Sequence, residues 1–453
     1  MQRMLPIRLA CLLAIPWSAS AADAPAKPAT AGKPNIVIVL ADDMGWRDTG
    51  YHGNTVVKTP HLDNMAANGL QFDYFYPGQQ MCSPGRFAIM TGRNPCRTGL
   101  HHLGAMRPQE ITVARALKTA GYKTGQFGKW HLGGKETSPA KMGFDRAIWA
   151  INFFDLGASL QVGDSNEKIP LQGDTSVAVM GLALDWVREQ AKGPDPFFAY
   201  VCFGSPHSPH IAAEEFKKLY QGLPDKKQNF WGEVSGVDAA VGNLRAELRK
   251  LGIADNTLIW FTSDNGGITP ESQDPAGKGK MNIGVRTQGL LEWPARVKRP
   301  LRTTVACGHV DIYPTLLAIT GVAMRNQPPL DGVSLVPLLD GQMTARPKPL
   351  GFMLWNGKGD GGFKQADFVA DTQGVWIDGK YKLIVGQDKK KDEQANRVQL
   401  FDIYADPAEK TNLADKLPDV VQRMQASLDA WRRDVRASYD GRDYAPGNIQ
   451  GTR

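Results

Sequence analysis

The sequence has little cysteine. Five residues in 453, none in C-x-x-C spacing, exclude a cysteine-ligated zinc site and a fold that depends on a disulfide framework. Long apolar runs are also missing. Stretches such as 9–15 and 197–203 fall far short of the ~20 residues a membrane-spanning helix needs. No segment interleaves clustered basic residues with aromatics, which excludes nucleic-acid binding of that kind. The run Lys389-Lys390-Lys391-Asp392-Glu393 reads as a solvated loop. No internal repeat is present, which excludes a solenoid or a propeller. The formal net charge of +7 suits an anionic substrate, and it is equally ordinary for a surface rich in Lys and Arg.

What is present begins with export. Arg3 and Arg8 flank the start of the apolar stretch 9–15, and Ala19-Ser20-Ala21 closes it with a small-residue cleavage pattern. A secretory signal peptide over 1–21 is expected, then an Ala/Pro-rich linker over 22–33. The expected destination is the periplasm or the exterior. Once Cys11 has left with the signal, Cys82, Cys96, Cys202 and Cys307 remain. The mature chain is long enough to bury a large core, with or without a smaller second domain.

Four short apolar runs end abruptly in polar clusters. Asn35–Leu40 runs into Ala41-Asp42-Asp43, and 122–127 into Gly128-Lys129-Trp130-His131. Residues 197–203 run into Gly204-Ser205-Pro206-His207, and 258–262 into Ser263-Asp264-Asn265-Gly266. Apolar runs without alternation are what strands look like in a sheet covered on both faces. Helical patterns lie between them, at 62–68, 113–120, 177–190 and 236–250. The alternation predicts an α/β fold with a large, mostly parallel sheet flanked by helices. Ligands bind beyond the carboxyl ends of such strands, so the four polar clusters can share one site. After about residue 345 the pattern changes. Residues 374–385 read as a hairpin around Asp378-Gly379, and Leu417, Val421, Met424, Leu428 and Trp431 mark one face of a terminal helix. The expected division is a catalytic domain over 34–345 and a smaller antiparallel subdomain with a packing helix over 346–453.

Asp42, Asp43, Asp264 and Asn265 offer hard oxygen ligands at two strand ends, as Ca²⁺ or Mg²⁺ prefers. An Asp-Asp pair before glycine is also common in plain turns, so this pattern alone leaves both readings open. The segment Met81-Cys82-Ser83-Pro84-Gly85-Arg86, continuing to Thr91-Gly92-Arg93, is more specific. Its Cys-x-Pro-x-Arg core before a helical stretch resembles the formylglycine signature of the type I sulfatases, of the alkaline phosphatase superfamily. Further resemblances follow in order along the chain. They are Pro34–Gly45, Thr59-Pro60-His61-Leu62-Asp63, Gly128–Gly133, His207-Ser208-Pro209, Thr262–Gly267, His309–Thr315, and Leu400-Phe401-Asp402 with Asp406-Pro407.

The resemblance implies an arylsulfatase-like sulfuric ester hydrolase. In that reading Cys82 is converted to formylglycine (3-oxoalanine) by a formylglycine-generating enzyme, and its hydrate supplies the nucleophilic hydroxyl. One Ca²⁺, with Mg²⁺ as the other option, is held by Asp42, Asp43, Asp264, Asn265 and the modified Cys82. Asp264 takes the proton of that hydroxyl. His207 and Lys278 serve the departing alcohol, His131 takes the proton that expels sulfate, and Arg86 and Lys129 hold the sulfuryl oxygens. The family's Glu-Gly-Gly-x-Arg-x-Pro is altered here: 277–288 carries Gln288 at the proline position, and Lys278 and Lys280 both qualify as the lysine. The implied substrate is a small-molecule or saccharide sulfate ester, with specificity expected in loops 152–172, 270–286 and 356–364. His101-His102 is a further candidate lining for the substrate pocket. A formylglycine-dependent phosphonate monoester or phosphodiester hydrolase is the alternative, since it shares fold and nucleophile. A two-zinc phosphatase of the same superfamily fits less well: it would want a Ser or Thr nucleophile and extra Asp/His ligands, and no Asp-His pair follows Asn265.

Overall fold

The computed structural model describes residues 32–153, 156–267, 286–355, 363–386 and 398–444. The expected signal peptide, Lys278, Lys280 and the run 389–393 lie outside the described residues. So do most of the expected specificity loops 270–286 and 356–364.

The four apolar runs become four neighbouring strands: β1 (Asn35–Ala41), β2 (Lys123–Lys129), β3 (Phe197–Cys202) and β4 (Thr257–Ser263). They lie in the order β4-β1-β3-β2 at the centre of a ten-stranded sheet, and every pair among them is parallel. Why the runs do not alternate is plain from their burial. Ile36, Ile38 and Leu40 enter one apolar core, and Val37, Val39 and Ala41 enter a second core on the opposite face. Phe198, Tyr200 and Cys202 divide from Phe197, Ala199 and Val201 in the same way. Each Val, Ile, Leu or Phe among them contributes roughly 1.5–3 kcal/mol on full burial. Antiparallel pairs flank these four strands on both sides, Gly289–Glu292 with β4 and Ser159–Val162 with Arg146–Ala150, and one edge ends in a parallel pair, Leu301–Thr303 with Leu70–Phe72.

Three helices matter below: α1 (Cys82–Thr91), α2 (Asp225–Lys250) and α3 (Pro418–Tyr439). α2 starts eleven residues before the predicted 236. Its first turns are polar, Asp225-Lys226-Lys227-Gln228, and its apolar face is interrupted by Gly232 and Gly236. The C-terminal part forms a four-stranded antiparallel sheet. The predicted hairpin is there, with Asp378 opposite Tyr381, so the two-residue turn is Gly379-Lys380, one position later than expected. Tyr74, Tyr76, Ala88 and Val310 share a buried core with Leu350, Phe352, Val375 and Phe401 of this sheet, while Met424, Leu428 and Trp431 of α3 pack on its other side. Among the described residues no helix is long and apolar enough to cross a membrane, and Cys82, Cys96, Cys202 and Cys307 are all free thiols.

Candidate active site

The parallel order brings the carboxyl ends of β1 to β4 together, as such sheets require at a ligand site. Two bonds extend the ladder past the strands: Asp42 N–H donates to Ser205 O at 3.0 Å, and Asp264 N–H to Ala41 O at 3.0 Å. Asp43 then turns sharply, with φ of 60°, and its N–H donates to Asp264 Oδ1 at 3.3 Å.

α1 delivers Cys82 to this junction. The helix runs so close to β4 that a Cβ on Gly85 would sit 1.9 Å from Asp264 O; only glycine fits between them. Cys82 Sγ lies 3.4 Å from Asp42 Oδ1, 3.9 Å from Asp43 Oδ1 and 3.4 Å from Asn265 Nδ2. One turn along α1, Arg86 Nε donates to Asp264 Oδ2 at 2.8 Å and Nη1 to Lys129 O at 2.7 Å. Arg86 Nη2 is 3.6 Å from Asp42 Oδ2 and makes no hydrogen bond. Lys129 Nζ is ion-paired with Asp42. Arg86, Lys129, Asp42, Asp264 and Asn265 are all fully buried.

His207 Nδ1 donates to Ser208 O at 2.7 Å. A carbonyl can only accept, so Nδ1 carries a proton, and the other ring nitrogen, Nε2, faces Asp43 Oδ2 at 3.5 Å. His131 follows Lys129 past the end of β2, with φ of 55°. Its Nδ1 is buried without a hydrogen-bond partner. Lys278 falls outside the described residues, so the structure places five of the six predicted catalytic side chains and all five metal candidates.

The electrostatics are those of a crowded anionic site. Burial pushes the Asp42 carboxyl up, but Lys129 and Arg86 outweigh it and hold it below its ordinary value. Burial, followed by Asp264 and Asp42, drives the Cys82 thiol well above its usual range, so as a thiol it is a poor nucleophile. Burial, then Lys129 and Arg86, depress His131 to about 3, which keeps its ring uncharged.

The residues can hold a metal ion. Ligand atoms of Asp42, Asp43, Cys82 and His207 lie within 4.8 Å of one another. Asn265 Oδ1 is buried and accepts no hydrogen bond, as an oxygen reserved for a cation would be.

Two residues that the sequence reading named without giving them a task support the cluster. His309, fully buried and depressed to about 4 by burial, lies between Gly85 O and Thr262 Oγ1, at 3.3 and 3.2 Å, and so ties α1 to β4. Gln288 donates to Gly45 O, joining the altered segment to the turn after Asp43. Neither stands in a spacing that signals its task.

A sheet covered on both faces thus carries a buried acid, amide and cation cluster at its parallel strand ends, and the fold is the alkaline-phosphatase-like one. Among solved structures, Ps i-CgsB in complex with k-i-k-neocarrahexaose is similar, with a TM-score of 0.77 and 25% identity over 89% of this chain and 93% of that one. The family model "Sulfatase" matches residues 34–322, and the chain belongs to that family: it is a sulfuric ester hydrolase. The N-acetylgalactosamine-6-sulfatase of Canis lupus familiaris is 33% identical over 358 residues, 69% of this chain and 67% of that protein. Arylsulfatase A of Homo sapiens is 30% identical over 472 residues, 89% of each.

Proposed function

We propose that this chain is an exported, calcium-dependent sulfatase whose nucleophile is a formylglycine made from Cys82, and that it acts on the sulfated end of a saccharide. The observation that carries the reading is the convergence of Asp42, Asp43 and Asn265 on Cys82 Sγ. Asp42, Asp43, Asp264 and Asn265 would hold the calcium, with magnesium the other hard cation the set accepts. The cation would polarise the sulfate oxygens and acidify a hydroxyl, and formylglycine would supply that hydroxyl in a form that can later release sulfate without attack at sulfur.

The remaining steps belong to the chain's own residues. Arg86 Nη2, the one guanidinium nitrogen without a hydrogen bond, is available to a sulfuryl oxygen. Lys129 offsets Asp42, so that an anion can enter a site already rich in carboxylates. Asp264 accepts the nucleophile's proton. His207, in its doubly protonated form with Nδ1–H held by Ser208 O, donates the Nε2 proton to the departing oxygen, together with Lys278. His131, neutral and with Nδ1 unengaged, accepts the last. For the alcohol, a cavity of about 180 Å³ lies beside α1, lined by His101, His102, Leu103, Phe363 and Lys364 among others. Gly104 N–H, on its wall, donates to Ser83 Oγ at 3.4 Å, one residue from Cys82. The relatives named for N-acetylgalactosamine 6-sulfate support a sugar there.

The test is co-expression with a formylglycine-generating enzyme, then hydrolysis of an aryl sulfate, a phosphate diester and a phosphonate monoester with and without calcium. Faster sulfate turnover that needs calcium and vanishes in Cys82→Ala is expected. Faster turnover of either phosphorus ester would overturn the sulfate assignment.

A further inference from the structure

One buried carboxylate near the site takes no part in the cluster above. Glu233 lies in the middle of α2, fully buried. Its Oε2 is 3.1 Å from His210 Nδ1, and its Oε1 accepts from Ile211 N–H. One turn earlier on α2, Asn229 Oδ1 accepts from Ala212 N–H at 3.2 Å. Gly232, between them, gives way to the same segment: a Cβ there would lie 2.6 Å from Ala212 Cβ and 3.2 Å from Lys217 N. Three positions on one face of α2 are therefore shaped to receive residues 210–212.

Those residues are the far end of the connection that leaves β3 and carries His207. No helix or strand forms between Cys202 and Glu214, so the connection is held by individual bonds. Its near end is fixed by Asp42 N–H on Ser205 O. Its far end is fixed by Glu233 and Asn229. His207 hangs between, two residues after one anchor and three before the other.

We propose that Glu233 is a positioning residue for catalysis: its carboxylate, by engaging His210 and Ile211 together, fixes where His207 Nε2 stands. The proposal rests on His207 serving the departing oxygen. A carboxylate is a costly group to bury, and an apolar side chain of similar volume would pack as well. Its use here follows from the two donors it engages, both on the segment that bears His207. Displacing a catalytic group by about 1 Å can cost on the order of 10²-fold in rate.

A misplaced proton donor has a signature that a loosened fold lacks. A 4-nitrophenolate leaves readily without a proton, whereas a plain phenolate depends on one. The experiment measures kcat and KM of the matured enzyme on 4-nitrophenyl sulfate and on phenyl sulfate. Glu233→Ala is expected to lower kcat on phenyl sulfate by about 10- to 100-fold, with a much smaller loss on 4-nitrophenyl sulfate and little change in KM. Glu233→Gln keeps an acceptor for Ile211 N–H and should recover most of the phenyl sulfate rate. If Glu233→Ala does not fold, His210→Ala removes one of the two contacts at a half-buried position, and the same directional change is expected. Equal losses on both substrates, or none, overturn the proposal. His207→Ala in the same assay separates the two ideas. If it lowers both rates alike, the leaving-group role of His207 fails. If it discriminates between them and the Glu233 and His210 variants do not, only the positioning role of Glu233 fails.

Discussion

Arg86 is the residue on which the cluster turns. One planar group reaches Asp264 Oδ2, Lys129 O and the neighbourhood of Asp42 Oδ2 at 2.8, 2.7 and 3.6 Å. Burial opposes its charge, but Asp264 and Asp42 more than restore it. A lysine carries the same charge as a single point on a flexible stem and cannot span those partners. Arg86→Lys is therefore expected to lower kcat/KM on an aryl sulfate by about 10²–10³-fold, the size of loss seen when one preorganised donor is removed. Circular dichroism should show the fold retained. Activity close to wild type would mean that charge alone, and not the fork, is what the site needs. The residue types of this cluster were legible in the sequence: Asp42, Asp43, Cys82, Arg86, Lys129, Asp264 and Asn265 all stand at the ends of apolar runs or in one short motif. Glu233, Gln288 and His309 were not, because each acts through a backbone group distant in sequence, and such a bond leaves no mark on local spacing.

At the scale of elements, the joint between α3 and the turn after α1 is held by another buried carboxylate. Asp331 accepts from Asn94 N–H at 2.6 Å, from Arg97 Nε and Nη2 at 2.7 and 2.8 Å, and from Trp431 Nε1 at 2.9 Å. It thus ties the turn after α1 to α3. Burial pushes its carboxyl up, but Arg97 outweighs that and holds it well below its ordinary value. The sign follows from linkage. A depressed folded value gives stability that is fully present above the unfolded carboxylate value of about 3.9 and is lost as the pH falls through the lower folded value. Asp331→Asn is expected to cost about 3 kcal/mol at neutral pH, near the lower end for a broken buried pair, since Asp434 still pairs with Arg97 at 2.9 Å. Urea melts at pH 7 and in strong acid test this: the gap between wild type and variant should narrow in acid, and a gap independent of pH would show that the charge of Asp331 is not what stabilises the joint. The elements themselves were unevenly legible. β1 to β4 were read because burial on both faces makes them continuous apolar runs. The short edge strand Lys168–Pro170 was not, since its residues are half-buried or exposed and only pairing with Ser159–Val162 makes it a strand.

For the molecule as a whole, the question is what holds the strand ends together. Nothing covalent does so among the described residues, where all four cysteines are free. The site gathers three buried carboxylates, Asp42, Asp43 and Asp264, against two buried fixed cations, Arg86 and Lys129. Asp42 and Asp43 repel each other, a cost that Lys129 and Arg86 offset at Asp42 and that the proposed divalent cation would relieve further. Because the proposed ligands come from two strand ends far apart in sequence, the unfolded chain offers no comparable site. Calcium should then stabilise the native state by RT ln(1 + [L]/Kd), about 2.7 kcal/mol at a hundredfold excess over Kd. A domain of 150–250 residues gains roughly 2–4 °C in Tm per kcal/mol, and this longer chain should gain somewhat less. The melting temperature is accordingly expected to rise with calcium concentration, to fall on chelation, and to ignore added thiol reductant. Asp43→Asn should flatten the calcium dependence while raising the melting temperature of the chelated protein, since it removes one of the repelling charges. A melting temperature indifferent to calcium in the wild type would remove the case for a cation at these strand ends, and with it the proposed route to an acidified nucleophile, while leaving the fold and the family unaffected.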